Sequence, residues 1–201
     1  MRKGAFDPHQ IFNAGKVIDA FPMDESLRYE VDRKEPVVET LMNFEDNQGI
    51  LRLAEKCNGS GDCRKLPSAG GAMCPSYRAT RDEKDTTRAR ANALREFLTT
   101  SNTSNKYDHT ELKEVFDLCL SCKACASECP SNVDVATLKA EFEYQYKKTH
   151  GSSLRTKLFA NTTKINKLGA FSPRIYNTLL KITAGIVKAS LGIAHERSLP
   201  L

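Results

Sequence analysis

From Asn47 onward the apolar residues of this chain fall at the three- and four-residue steps of a helix face, and before it they do not. Ile50, Leu51, Leu53 and Ala54 predict a helix ending at Cys57, and a short one is expected after Cys74-Pro75. Ala91, Leu94, Phe97 and Leu98 predict a helix over 87–98. Leu112, Val115, Phe116 and Leu118 carry another into Cys119, with Asp108 and Glu111 at capping-box spacing. Val135, Leu138, Phe142 and Tyr146 predict a helix from an N-cap at Asp134 to a stop at Gly151. A weaker amphipathic helix is expected over 153–168. Ser172-Pro173 and Gly192 then bracket a last helix striped by Ile175, Leu179, Ile182, Ile186 and Leu191.

Residues 1–46 lack that period and are broken by Asp7-Pro8, Asn13-Ala14-Gly15, Phe21-Pro22 and Glu35-Pro36, so they are expected to form an irregular arm. Val37 to Phe44 has the composition of a short strand. The expected organisation is an N-terminal arm over 1–46, a helical domain over 47–150 and a helical extension over 151–201. Each half of the helical domain repeats one order: helix, cysteine loop, Cys-Pro-Ser, helix. Cys74-Pro75-Ser76 answers Cys129-Pro130-Ser131. The fold class expected is all-α, a helical ferredoxin.

All seven cysteines of the 201 residues lie between Cys57 and Cys129. An odd number in a chain of this size makes a disulfide framework the weaker reading and bound metal the stronger. The N-terminus has no signal-peptide pattern and no uncharged apolar run is long enough to span a bilayer, so a reducing, cytoplasmic setting is expected. The net charge of +5 is modest, and over the whole chain Lys and Arg intersperse with Asp and Glu, which disfavours a nucleic-acid partner. His9, His109, His150 and His195 form no pair at ligand spacing, and no phosphate loop, dinucleotide fingerprint or nucleophile–base motif is present.

Cys119, Cys122, Cys125 and Cys129-Pro130 make C-x2-C-x2-C-x3-C-P, the ligand run of bacterial ferredoxins, in which the cysteine before proline serves the other cluster. Applied across the repeat, Cys119, Cys122, Cys125 and Cys74 form a complete [4Fe–4S] site. Cys57, Cys63 and Cys129 remain for a second. Cys57 to Cys63 is C-x5-C, with Ser60 where a middle cysteine would stand. Three thiolates suit a [3Fe–4S] cluster, and a second [4Fe–4S] cluster would need Ser60, Asp62, water or another donor. The gap resembles the iron–sulfur subunit of succinate dehydrogenase, where it marks a three-iron site. Zinc also binds paired C-x2-C, but it would leave three cysteines idle and gives no reason for two Cys-Pro sites. Arg78, Arg81, Arg88, Arg90 and Arg95 crowd the segment between the cysteine loops. A solvated face is the default reading, and charge compensation of a cluster by Arg88 or Arg90 is the sharper one.

The order Cys57-Asn58-Gly59-Ser60-Gly61-Asp62-Cys63, Met73-Cys74-Pro75-Ser76-Tyr77-Arg78, Thr87-Arg88-Ala89-Arg90-Ala91-Asn92 and Asp117 to Cys125 resembles the iron–sulfur module of FAD-linked D-2-hydroxyacid dehydrogenases, the D-lactate dehydrogenase and glycolate oxidase group. Ala89 stands where that family commonly has glycine, and Lys139-Ala140-Glu141-Phe142 also fits. Phe6 to Lys16 resembles the closing segment of a flavin oxidase domain, with Ala14 where proline is usual. Arg197-Ser198-Leu199-Pro200 resembles the lead-in to a cysteine-rich domain. The resemblance implies one piece of a larger or split system, with FAD in a missing or partner domain. It implies electron relay from a flavin-binding oxidase domain or subunit to a quinone or cysteine-rich acceptor, at a site compatible with a peripheral position at the inner membrane face. No hydroxyacid is expected to be oxidised by this chain alone. The rival expectations are an enzyme with a catalytic, incompletely ligated cluster and a zinc-stabilised interaction module.

Overall fold

The computed structural model describes residues 2–16, 18–27, 29 and 32–199. Pro200 of the Arg197–Pro200 resemblance lies outside them. The chain divides into two compact units, 1–38 and 39–201. The described residues contain helices and turns and no strand, as the all-α expectation required.

In the first unit a short helix, α1 (Arg2–Phe6), precedes loops. The buried Asp7 carboxylate closes the following turn by accepting from the Ile11 and Phe12 amides at 2.9 and 3.0 Å. Phe6, Ile11 and Phe12 stay exposed.

The second unit is built around four helices: α2 (Ile50–Glu55), α4 (Thr87–Thr100), α5 (Thr110–Asp117) and α7 (Val135–His150). The short α3 (Pro75–Thr80) and α6 (Ala124–Glu128) carry the two Cys-Pro regions. Ile50, Leu53, Ala91, Leu94, Leu98, Leu112, Phe116, Leu138 and Phe142 bury the helix faces that the apolar spacing marked. Phe116 stacks on Phe142 with centroids 5.0 Å apart. Burying each large side chain contributes about 1.5–3 kcal/mol, which fixes where the cysteine loops leave the core.

Three local expectations fail for identifiable reasons. The strand expected over Val37 to Phe44 does not form, and Leu41 and Met42 lie in a bend. Glu141 of α7, itself fully buried, takes the Leu41 amide at 3.0 Å and the Met42 amide at 2.9 Å instead. Asp108 does not cap α5, whose N-cap is His109 without a side-chain bond, because its carboxylate pairs with His150. The helix expected over 153–168 is two, α8 (Leu154–Ala160) and α9 (Thr162–Phe171), parted at Asn161, whose side chain binds the Lys157 carbonyl at 2.8 Å.

The last helix, α10 (Pro173–Leu191), starts at its proline and stops at left-handed Gly192, φ 60°, as read from sequence. Ser172 makes no side-chain cap bond there. None of its residues is buried, and Ile175, Leu179, Ile182 and Ile186 face solvent. No helix among the described residues is long and apolar enough to cross a membrane.

Candidate metal centre

The four cysteines of the first predicted set share one cleft. Cys74, Cys119, Cys122 and Cys125 line this small, open cleft together with Pro75, Thr87, Arg90, Leu120, Val135 and Ala136. Cys74 enters it from a left-handed backbone, φ 55°, immediately before the proline that opens α3. Ser121 (φ 52°) and Lys123 (φ 62°) turn the other loop so that its three cysteines return to the same space. The Lys139 ammonium on α7 anchors that loop through the carbonyls of Phe116 at 2.9 Å and Cys119 at 2.6 Å. Cys74 and Cys125 are buried and Cys122 is exposed, so the cleft reaches the surface on the Leu120–Cys122 side.

Hydrogen-bond donors point at the buried sulfurs. The Cys74 Sγ lies 3.0 Å from the Thr87 amide and 2.9 Å from the Thr87 hydroxyl. Burial pushes this thiol up to about 11, and the two Thr87 donors and the Arg90 charge pull against the rise. Burial likewise raises Cys125, opposed by the Val135 and Ala136 amides at the start of α7. Cys63 is raised by burial and opposed by the Arg88 amide, the Thr86 hydroxyl and the Arg88 charge. The first turn of α4 therefore serves a sulfur from each predicted site, and the first turn of α7 serves a third. Helix N-termini favour negative charge, and metal-bound cysteines are thiolates, so the donor set matches an anionic thiolate cluster.

Arg90 departs from the solvated-face expectation. It is 2% exposed and pairs with Asp85, 1% exposed, at 3.3 Å. It also donates to the Val115 carbonyl at 3.0 Å, the Ser76 hydroxyl at 3.1 Å and the Asp85 carbonyl at 2.6 Å. These bonds tie α3, just after Cys74, to α5, just before Cys119. Arg88 remains half-buried, paired with Glu83 at 2.6 Å.

The second set is partly assembled. Cys57 and Cys63 are both buried and near enough for a charge on Cys57 to raise Cys63 further. Ser60 is exposed, its amide bonded to Asn58, and Asp62 lies 3.9 Å from Lys65. Cys129, at the end of α6, is half-buried, and its assignment to this set rests on the repeat. The neighbouring Glu128 holds α6 against the Cys74 loop by accepting from the Ala72 and Met73 amides at 2.7 and 3.1 Å. Those bonds need a glycine at 71, with φ +75°, because a Cβ there would meet the Glu128 carboxylate at 2.4 Å. Among the described residues no three His, Cys, Asp or Glu side chains converge on the position of a single ion. Four thiols spaced around a cleft are the arrangement a multi-iron core requires, since each binds a different iron.

Sequence reasoning missed Thr86, Thr87, Asp85, Glu128 and Lys139. Thr87 and Lys139 stood in the segments that carry the resemblance but without a role, and Thr86 left a signal as a threonine at the N-cap of a strong helical pattern; its hydroxyl takes the Ala89 amide at 3.0 Å.

Residues 56–134 match the 4Fe-4S dicluster domain family. That span contains all seven cysteines. The chain is 29% identical to the D-2-hydroxyglutarate dehydrogenase of Pantoea ananatis, over 89% of this chain and 21% of that protein. It is 28% identical to the Haemophilus influenzae protein of the same name (95% of this chain, 22% of that protein) and 29% identical to the Escherichia coli one (87% and 20%). The chain thus spans about a fifth of the length of the curated relatives it matches. No solved structure matches it. The iron–sulfur reading and the resemblance to hydroxyacid dehydrogenases agree with these findings, which do not favour the zinc module.

Proposed function

We propose that the chain is the electron-transfer module of a D-2-hydroxyacid dehydrogenase system, relaying single electrons from an FAD-bearing oxidase domain or subunit to a downstream quinone or cysteine-rich acceptor. The observation that carries the reading is the cleft where Cys74 joins Cys119, Cys122 and Cys125 across the repeat. These four would hold a [4Fe–4S] cluster, and Cys57, Cys63 and Cys129 a second one. Three thiolates make [3Fe–4S] the favoured form of that second cluster. A bound iron–sulfur cluster supplies reversible one-electron chemistry at a potential set by charge, hydrogen bonds to sulfur and burial.

The protein's own part is to hold and insulate. Arg90 fixes the two cysteine loops against each other, and the amides of Thr87, Arg88, Val135 and Ala136 stabilise negative sulfur. The Phe116–Phe142 core behind the loops keeps water away. The 4Fe-4S family match spans both cysteine loops, and the D-2-hydroxyglutarate dehydrogenase name of the relatives supports that substrate class for the parent system. Residues 151–201 carry eight Lys and Arg against the single Glu196, beside the exposed apolar face of α10. That face would seat the extension on the remainder of the system, and its charge is compatible with a peripheral position at the inner face of a membrane.

The test is EPR spectroscopy with iron and acid-labile sulfide counts on anaerobically prepared protein. Two clusters that reduce reversibly are expected, with the four-iron signal lost in Cys122→Ser. Zinc without sulfide, or a holoprotein that takes up no electrons, refutes the proposal.

A further inference from the structure

We infer that Thr87 is a positioning residue that sets the reduction potential of the cluster held by Cys74, through the hydroxyl it directs at that cysteine's sulfur. The inference rests on the iron–sulfur reading above and concerns a side chain that binds no metal itself.

Thr87 is 3% exposed and stands in the first turn of α4, where its amide and its hydroxyl both reach the Cys74 Sγ, at 3.0 and 2.9 Å. Cys74 is only 6% exposed, so little of its sulfur is open to water that could compete for these bonds. The amide belongs to the backbone and stays in any variant. The hydroxyl is separable. Its neighbour Thr86 divides its hydroxyl between capping and the other site, accepting from the Ala89 amide at 3.0 Å, donating to the Glu83 carbonyl at 2.8 Å and facing the Cys63 sulfur. Thr87 caps nothing: α4 already has its N-cap, and the sulfur is the partner of the Thr87 hydroxyl.

A one-electron reduction adds negative charge that is shared with the thiolate sulfurs. A donor already aimed at one of those sulfurs binds the reduced form more strongly than the oxidised form, which raises the potential. Because Arg88, the next residue, donates its amide to Cys63, the same turn touches both predicted sites, but the Thr87 hydroxyl touches only one. The effect is therefore specific to the four-iron site.

The experiment is a dithionite titration monitored by EPR on the native chain, Thr87→Val and Thr87→Ser. Thr87→Val keeps the shape and removes the hydroxyl. It should shift the one-electron equilibrium of the four-iron cluster about tenfold toward the oxidised form, a fall of about 59 mV, while the second cluster keeps its native potential. Thr87→Ser should restore the native value. Thr87→Ala provides a second test that cannot overpack the site. A native potential in Thr87→Val or Thr87→Ala at full iron content overturns the inference. Failure of both to load iron while Thr87→Ser loads fully also overturns it, since the hydroxyl would then serve assembly. A native chain that holds no cluster overturns this inference and the proposed function together, whereas an unshifted potential overturns this inference alone.

Discussion

Replacing Arg90 should loosen the metal centre without touching a thiol. The guanidinium is 2% exposed, and its partner Asp85 is 1% exposed. Thr80 is the other group on the Asp85 carboxylate, donating to Oδ2 at 2.7 Å. Arg90→Met fills the stem volume but strands that carboxylate in the interior and frees the Val115 carbonyl and the Ser76 hydroxyl. Breaking a buried pair by removing one partner costs about 3–5 kcal/mol, because the remaining charge is left uncompensated. At about 2–4 °C per kcal/mol for a chain of this length, Tm should fall by about 6–20 °C. The same change releases α3 from α5, so the Cys74 sulfur loses its fixed place opposite Cys119. Circular dichroism of the metal-free chain reads the first effect, and iron and sulfide content after reconstitution reads the second. A Tm within about 2 °C of native, with a full iron complement, would show that Arg90 does not brace the two loops.

Two further outcomes are expected. Glu141→Ala removes the acceptor that holds residues 41–42, and with about 1.5–3 kcal/mol for a bond to a charged group and water able to take over at the exposed loop, the loss should be about 2–4 kcal/mol. Urea unfolding measures the loss, and hydrogen exchange should quicken at the Leu41 and Met42 amides; unchanged exchange there contradicts the assignment. For the metal-free chain, the Cys74 thiol rises from 9.0 to about 11 on folding, so the unfolded chain gives up its proton first as pH rises. Its contribution of about 3 kcal/mol is intact below pH 9 and is lost as pH climbs toward 11. Stability measured at pH 8 and pH 11 should fall more in the native chain than in Cys74→Ala, and equal falls would exclude Cys74 as a source.

The helical core was readable because its spacing obeys one rule along each segment: Leu94 and Leu98, Leu112 and Phe116, Leu138 and Phe142 stand four apart and all are buried. That Cys74 shares a cleft with Cys119, Cys122 and Cys125 was readable for a different reason, the fixed steps of the ferredoxin run and its crossed proline cysteines. What stayed hidden depends on partners far along the chain. Glu141 reaches back a hundred residues to Leu41, and no local pattern marks that meeting. Arg90 reads as one of five surface arginines until Asp85 is seen buried beside it. The short helix α6, which carries Cys125 and ends just before Cys129, is too brief to show a period. The concentration of eight basic residues in 151–201 was masked by averaging charge over the whole sequence.

The left-handed backbone at Cys74, Ser121 and Lys123 has a consequence for the life of the centre. None of the three is glycine, and the αL shape costs an ordinary residue about 1–2 kcal/mol. In the chain itself the Lys139 and Arg90 bonds hold that tension. In the proposed holo form, bonds from the cysteines to an inorganic core would share the load, and a chelator that removed the core should leave both loops to those few bonds alone. Reloading should then slow most in variants that have lost Lys139 or Arg90, because the loops must first be bent back.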